Sequence, residues 1–245
     1  MISVARTDVG MVREHNEDAY RLKIVNDRLA YGIVCDGMGG ANGGQVASTL
    51  AADTVAEIFE SFFENEMAPY DITNLFRRAI RTANDKVYKL NRDDPSLRGM
   101  GTTLVIAIAI QNEIYIANVG DSRAYLFFGD TVQQISVDHS AVQELLEQGK
   151  ITREEAINHP QKNIITRAIG VESIVEFDYF TYNFRKGDQV LLCTDGLSNY
   201  CDEETLLRII GEDESAVGAA ERLINYANSQ GGRDNITALL IKQDC

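Results

Sequence analysis

The stretch from residue 102 to 136 constrains the fold more than any other part of the chain. Residues 102–110, 113–119, 123–128 and 131–136 are strand-like runs, rich in Ile, Val, Ala, Tyr and Phe, with only short turns between them. Asn112 and Gly129-Asp130 mark two of those turns. Connections this short join antiparallel neighbours, because a parallel pair needs a crossover of a dozen or more residues. The stretch reads as an antiparallel meander and argues against a parallel α/β sheet.

Strands are also expected at 1–6, 29–35, 174–183, 189–193 and 235–242. Helices frame them. From 45 to 63, Val46, Leu50, Val55, Ile58, Phe59 and Phe62 recur at helical spacing. A helix over 71–90 carries Leu75, Ile80, Val87 and Tyr88, with Asp71 or Thr73 as its cap. Short helices fit 139–148 and 152–158, and a second pair fits 202–210 and 215–229. The expected class is α+β: a four-layer α/β/β/α sandwich, two antiparallel sheets flanked by helix pairs. Nothing resembling a linker or repeat interrupts the chain, so residues 1–245 read as a single domain.

Composition then narrows the function. A hydrophobic fraction of 44% is enough to bury a sizeable core. The longest apolar run, 104–110, is strand-sized, and the first residues do not form a secretory signal. Cys35, Cys193, Cys201 and Cys245 show no paired spacing, so reduced thiols and a cytoplasmic setting are expected. A net charge of −14 argues against nucleic acid and against an anionic membrane surface as partners. Much of that charge serves solubility.

Some of it is placed too regularly for that. Asp36-Gly37-Met38-Gly39-Gly40 follows the strand at 29–35, and Gly120-Asp121-Ser122-Arg123 lies between two runs of the meander. Thr194-Asp195-Gly196 follows the strand at 189–193, and Gly232-Arg233-Asp234-Asn235 precedes the last strand. Near the start, Arg13-Glu14-His15-Asn16-Glu17-Asp18 adds an arginine and further carboxylates. Asp-Gly alone is ordinary turn chemistry. Carboxylates at the ends of several core strands are also what hard cations such as Mg2+ and Mn2+ select.

These segments, with Thr7-Asp8-Val9-Gly10, Gly101-Thr102-Thr103, Asn118-Val119 and Asp138-His139-Ser140, occur in one order along the chain. In that order it resembles a bacterial member of the type 2C, metal-dependent serine/threonine protein phosphatase family (the PPM family), from Thr7 to Leu240. The resemblance implies the α/β/β/α sandwich. It implies two Mn2+ or Mg2+ ions and a third: Asp36 bridges two ions, the Gly37 carbonyl completes one shell, Asp195 and Asp234 hold the other, and Glu17 lies near the first. Asp121, with Asp195, matches the third position, and Asp18 a flanking acidic one. Arg13 matches the arginine that grips the substrate phosphate, so Arg13 and Asp36 are the expected catalytic residues. The expected partners are phosphorylated proteins, including a serine/threonine kinase whose signalling is reversed, and the enzyme is expected to be a monomer. Residues 139–170 resemble a mobile flap, though a plain helical cover over the sheet fits them equally.

One position departs from animal members, which carry a histidine after Asp-Gly as a proposed general acid. Here it is Met38, which cannot donate a proton. A metal-bound water is the expected donor, with His139 the weaker candidate. His15 and His159 are expected to be structural. Two other readings stay open: a catalytically inert module that binds phosphoproteins, and a partner-switching phosphatase acting on an anti-sigma-factor antagonist. Retention of Arg13, Asp36, Asp195 and Asp234 argues against the first. Lack of room for a sensor domain argues against the second.

Overall fold

A computed structural model describes the chain except for residues 41, 64–67, 158, 212–215 and 245. The first strands are β1 (Ile2–Asp8), β2 (Asp18–Asn26) and β3 (Leu29–Met38). Helices α1 (Gly43–Phe62) and α2 (Pro69–Asp93) follow, with a short 3-10 turn at Pro95–Leu97. Next come β4 (Gly101–Thr102), β5 (Leu104–Ile110), β6 (Glu113–Val119), β7 (Arg123–Phe128) and β8 (Thr131–Gln134). The chain continues through α3 (Ala141–Glu147), α4 (Arg153–Ile157), β9 (Asp178–Asn183) and β10 (Gln189–Cys193). It ends with α5 (Asp195–Ser198), α6 (Glu203–Gly211), α7 (Ala216–Ser229) and β11 (Ile236–Lys242).

One sheet has the order β1-β11-β10-β7-β8, the other β2-β3-β5-β6-β9, with β4 against β3. The strand pairs are antiparallel. Side chains alternate across each strand, and here both faces are covered. Ile33 of β3 and Ile106 of β5 pack with Val55, Phe59, Phe76 and Ile80 of α1 and α2. Their neighbours Val34 and Val105 turn the other way and meet Leu126, Leu192 and Leu239 between the sheets. Leu240, beside Leu239, packs outward with Leu206, Leu223 and Ile224 of α6 and α7. Burial on both faces is why the central strands are apolar throughout instead of alternating with polar residues. The expected four-layer sandwich is borne out.

The meander is not one unit. β5 pairs with β6 in one sheet, and β7 with β8 in the other. Gly120-Asp121-Ser122 carries the chain across, which short connections alone cannot reveal. β2 was not expected; Arg21 and Lys23 interrupt its apolar residues, and its outer half, Ile24 and Val25 included, is exposed at a sheet edge. The run at 102–110 breaks at Thr103, and the strand expected from 174 begins only at Asp178. α2 starts earlier than expected, with Pro in its first turn; Ala68 is the cap residue and its N–H donates to Asp71 Oδ2 at 3.3 Å. Thr73 lies inside the helix. The expected helix limits at 158 and 215 lie outside the described residues.

Candidate metal centre

Chain crossings at one end of the two sheets gather the acidic turns. Asp36 and Gly37 stand near the end of β3, Asp121 in the β6–β7 crossing, Asp195 at the start of α5, and Asp234 just before β11. Arg13 and Glu17 lie in the loop before β2. All seven line one cavity of about 280 Å³, together with Met38, Thr103, Asn163 and Ile165. The sequence thus identified residues that the fold brings together.

Backbone clamps hold them. Asp36 N–H donates to Thr103 Oγ1 at 2.9 Å, and Thr102 Oγ1 donates to the Asp36 carbonyl at 2.9 Å. Having accepted from Asp36, Thr103 Oγ1 shares its own hydrogen bond with Ser122 Oγ at 2.7 Å, tying Asp36 to the turn that carries Asp121. Gly37 cannot be another residue: a Cβ there would sit 2.1 Å from the Gly44 carbonyl oxygen and 2.6 Å from that of Glu17. Gly196 is held against β11 in the same way, with an added Cβ 1.9 Å from the Asn235 carbonyl oxygen. Asn235 staples the N-terminal loop, its side chain donating to the carbonyls of Val9 and His15 at 2.9 Å and accepting from Glu17 N–H at 2.8 Å.

The electrostatics are those of too many carboxylates in one place. Burial, and then Asp18, Asp195, Asp121 and Asp234, push the Asp36 carboxyl well above the usual carboxylate range. Asp121 is pushed up to about 7 by burial and then by Asp195. Asp195 is raised by burial and by Asp234, partly offset by a hydrogen bond with Asp36. Carboxyls raised together by burial and by one another are a cluster that disfavours full ionisation. Burial raises Glu17 as well. Arg13 Nη2 reaches Asp234 Oδ2 at 2.8 Å, and that bond raises the arginine further above its ordinary value.

Beneath the cavity floor, Asp18 is almost fully buried. Its Oδ2 accepts from Thr194 and Thr237 hydroxyls at 2.9 and 2.6 Å, yet its Oδ1 has no partner. Burial lifts it to about 7 against those two hydrogen bonds. The donors are therefore all oxygen, crowded, and in one case orphaned. That chemistry fits a hard divalent cation, for which oxygen ligands and compensating charge are what matter. Among the described residues, no three of His, Cys, Asp and Glu are placed to hold a metal ion as the side chains stand. Crowded carboxylates without a counter-charge repel one another, and Asp234 is engaged by Arg13.

His139 does not line the cavity. Its Nδ1 accepts from Gly120 N–H at 3.0 Å, so the ring proton sits on Nε2, which faces Asp178 Oδ2 at 3.2 Å. Arg167 Nη1 bonds Asp178 Oδ1 at 3.1 Å on the same side. Buried, with its pKa lowered mainly by that burial, His139 is a prop for the turn before Asp121. Asn163 and Ile165 were missed; they lie in the 139–170 segment and no local motif marks them. Within that segment Ser140 bridges Ile165, and near its far end Ile169 bridges Thr102 of β4.

Fold and site together define a two-sheet sandwich with a carboxylate-lined cleft at the sheet ends. Residues 12–240 match the family model described as protein phosphatase 2C. The serine/threonine phosphatase stp of Listeria monocytogenes is 42% identical over 98% of this chain and 94% of its own. Among solved structures, the Mycobacterium tuberculosis serine/threonine phosphatase PstP/Ppp superposes with a TM-score of 0.89 at 34% identity, over 100% of this chain and 99% of that one. The catalytic domain of PstP in complex with two manganese ions superposes with a TM-score of 0.84 at 34% identity, over 98% and 96%. The chain belongs to the protein phosphatase 2C family, and the resemblance read from its motifs is borne out.

Proposed function

We propose that this protein is a metal-dependent phosphatase that hydrolyses phosphoserine and phosphothreonine in proteins at the cavity between Arg13 and Asp195. The observation that carries this reading is the meeting of Arg13, Glu17, Asp36, Gly37, Asp121, Asp195 and Asp234 around one cleft. In this reading Asp36, Asp195, Asp234, Glu17 and the Gly37 carbonyl would hold two divalent cations, and Asp121 with Asp195 would hold a third. When bound, Mn2+ or Mg2+ would supply positive charge to offset the phosphate dianion and would lower the pKa of water in the cleft.

The chain's own residues do the rest. Arg13 is about half exposed and can turn from Asp234 to a phosphate oxygen in the same cavity, where its planar donors match the anion. The thioether of Met38 lies in the wall and has no proton to give. His139 carries its ring proton on Nε2, which faces Asp178 and not the cavity. Residues 139–170 act as a flap, since Asn163 and Ile165 reach the cavity from it. A bacterial cytoplasm, a kinase among the substrates, a single 1–245 domain and a monomeric state complete the proposal. No described helix is long and apolar enough to cross a membrane.

The test is hydrolysis of a phosphothreonine peptide with Mn2+, with Mg2+ and with chelator. Activity with metal and none with chelator is expected; equal turnover in chelator would overturn the reading. The proton question has its own test. His139→Ala is expected to slow phosphopeptides and aryl phosphates alike, by roughly tenfold, the scale of losing a residue that orients a metal ligand. A loss confined to phosphopeptides, whose leaving groups need a proton, would make His139 the acid after all.

A further inference from the structure

A second cavity, of about 290 Å³, adjoins the first, and Asn163, Asp195 and Asp234 line both. Its chemistry differs. Lys162 and Arg233 line it with Tyr200 and Gln230. Arg233 precedes Asp234, and its backbone N–H is fixed by the Tyr200 hydroxyl at 3.2 Å. Lys162 precedes Asn163 and sits on the segment that reaches over the site. Neither Lys162 nor Arg233 forms an ion pair among the described residues, and both are exposed.

Two uncommitted cations beside an acidic centre need an explanation in a chain of net charge −14. Within the cavity, the nearby carboxylates are already engaged. Asp195 accepts from Asn199 Nδ2 at 3.1 Å, and Asp234, bonded to Arg13 here, would be engaged by a cation once Arg13 turns to the phosphate. A peptide whose phosphate enters the first cavity must run its flanking residues over the adjoining surface. The side chain that fits the second cavity is one that two cations attract and a tyrosine hydroxyl can hydrogen-bond.

We infer that this second cavity is a specificity subsite that takes a carboxylate side chain flanking the phosphorylated residue, so that the preferred substrates are phosphoproteins with acidic residues next to the phosphosite. The inference rests on the proposed phosphatase reading and adds Lys162 and Arg233 as its specificity determinants.

The experiment compares phosphothreonine peptides identical except for Glu, Ala or Lys at the positions flanking the phosphothreonine, assayed with Mn2+. The readout is the ratio of kcat/KM for the Glu peptide over the Lys peptide. In the wild type that ratio should be about fivefold, since exposed ion pairs are individually weak and two act here, and it should shrink at high salt. In the Lys162→Glu/Arg233→Glu protein it should invert, and in Lys162→Gln/Arg233→Gln it should approach one. A ratio cancels any general loss of activity in the variants. A wild-type ratio near one, or the same ratio in all three proteins, overturns the subsite while leaving the phosphatase reading intact. If no peptide is hydrolysed at all, the phosphatase reading falls and the subsite falls with it.

Discussion

Asp36→Asn is expected to lower kcat/KM on a phosphothreonine peptide by roughly 10³-fold, the upper scale for losing one preorganised electrostatic group. The metal-free variant should nonetheless be at least as heat-stable as the wild type. The amide keeps the shape of the side chain and leaves untouched the backbone bonds that Thr102 and Thr103 make to residue 36. What it removes is a carboxyl that the fold holds at a cost. Burial and four neighbouring aspartates push that group far above the usual carboxylate range, which means the ionised form is disfavoured in the folded protein. Relieving it should leave the melting temperature in chelator unchanged or a few degrees higher. The paired measurement matters because inactivity alone also follows from unfolding. Activity within tenfold of wild type would remove Asp36 from the centre of the mechanism. A clear fall in melting temperature would show that the carboxylate is structural.

Much of this centre was legible because its residues sit where the chain has no freedom. Gly37 and Gly196 cannot carry a side chain without striking the backbone of Gly44 or Asn235, so each aspartate beside them comes with its glycine in the sequence. Strand ends could be read from the apolar runs that precede Asp36 and Asp195. The split of the meander could not. Gly120-Asp121-Ser122 is as short as a hairpin turn, and only the packing of both faces of β6 and β7 sends them to different sheets. β2 was hidden because Arg21 and Lys23 break up its apolar residues, and at a sheet edge Ile24 and Val25 stay exposed instead of marking a buried face. Asn163 and Ile165 reach the cleft from a segment whose position is set by pairing with Ser140 and by the neighbouring Thr102–Ile169 bridge, neither of which local sequence encodes. The pairing of Arg13 with Asp234 joins residues 221 apart.

The metal-free protein should lose stability as pH rises from about 5 to about 7.5, and Mn2+ should reverse that trend. Asp18 is held up to about 7 in the folded chain, by burial acting against two threonine hydrogen bonds, and Asp121 is held up to about 7 as well. In the unfolded chain an aspartate titrates near ~3.9. Between those values the folded state binds more protons than the unfolded one, so the stability these groups contribute is complete below about pH 4 and is lost as pH climbs to 7. The two carboxyls belong to one interacting cluster, so their effects do not simply add. A cation acts in the opposite sense. It requires deprotonated ligands, so its stabilisation grows over the same interval. The gap in melting temperature between Mn2+ and chelator should therefore widen steadily with pH. Asp18→Asn separates the two causes. Its side-chain oxygen can still accept from Thr194 and Thr237, but it has no charge to bury, so the decline in chelator should flatten. A melting temperature in chelator that does not move between pH 5 and 7.5, or a variant that keeps the wild-type slope, would mean that Asp18 is not the group whose ionisation strains the empty fold.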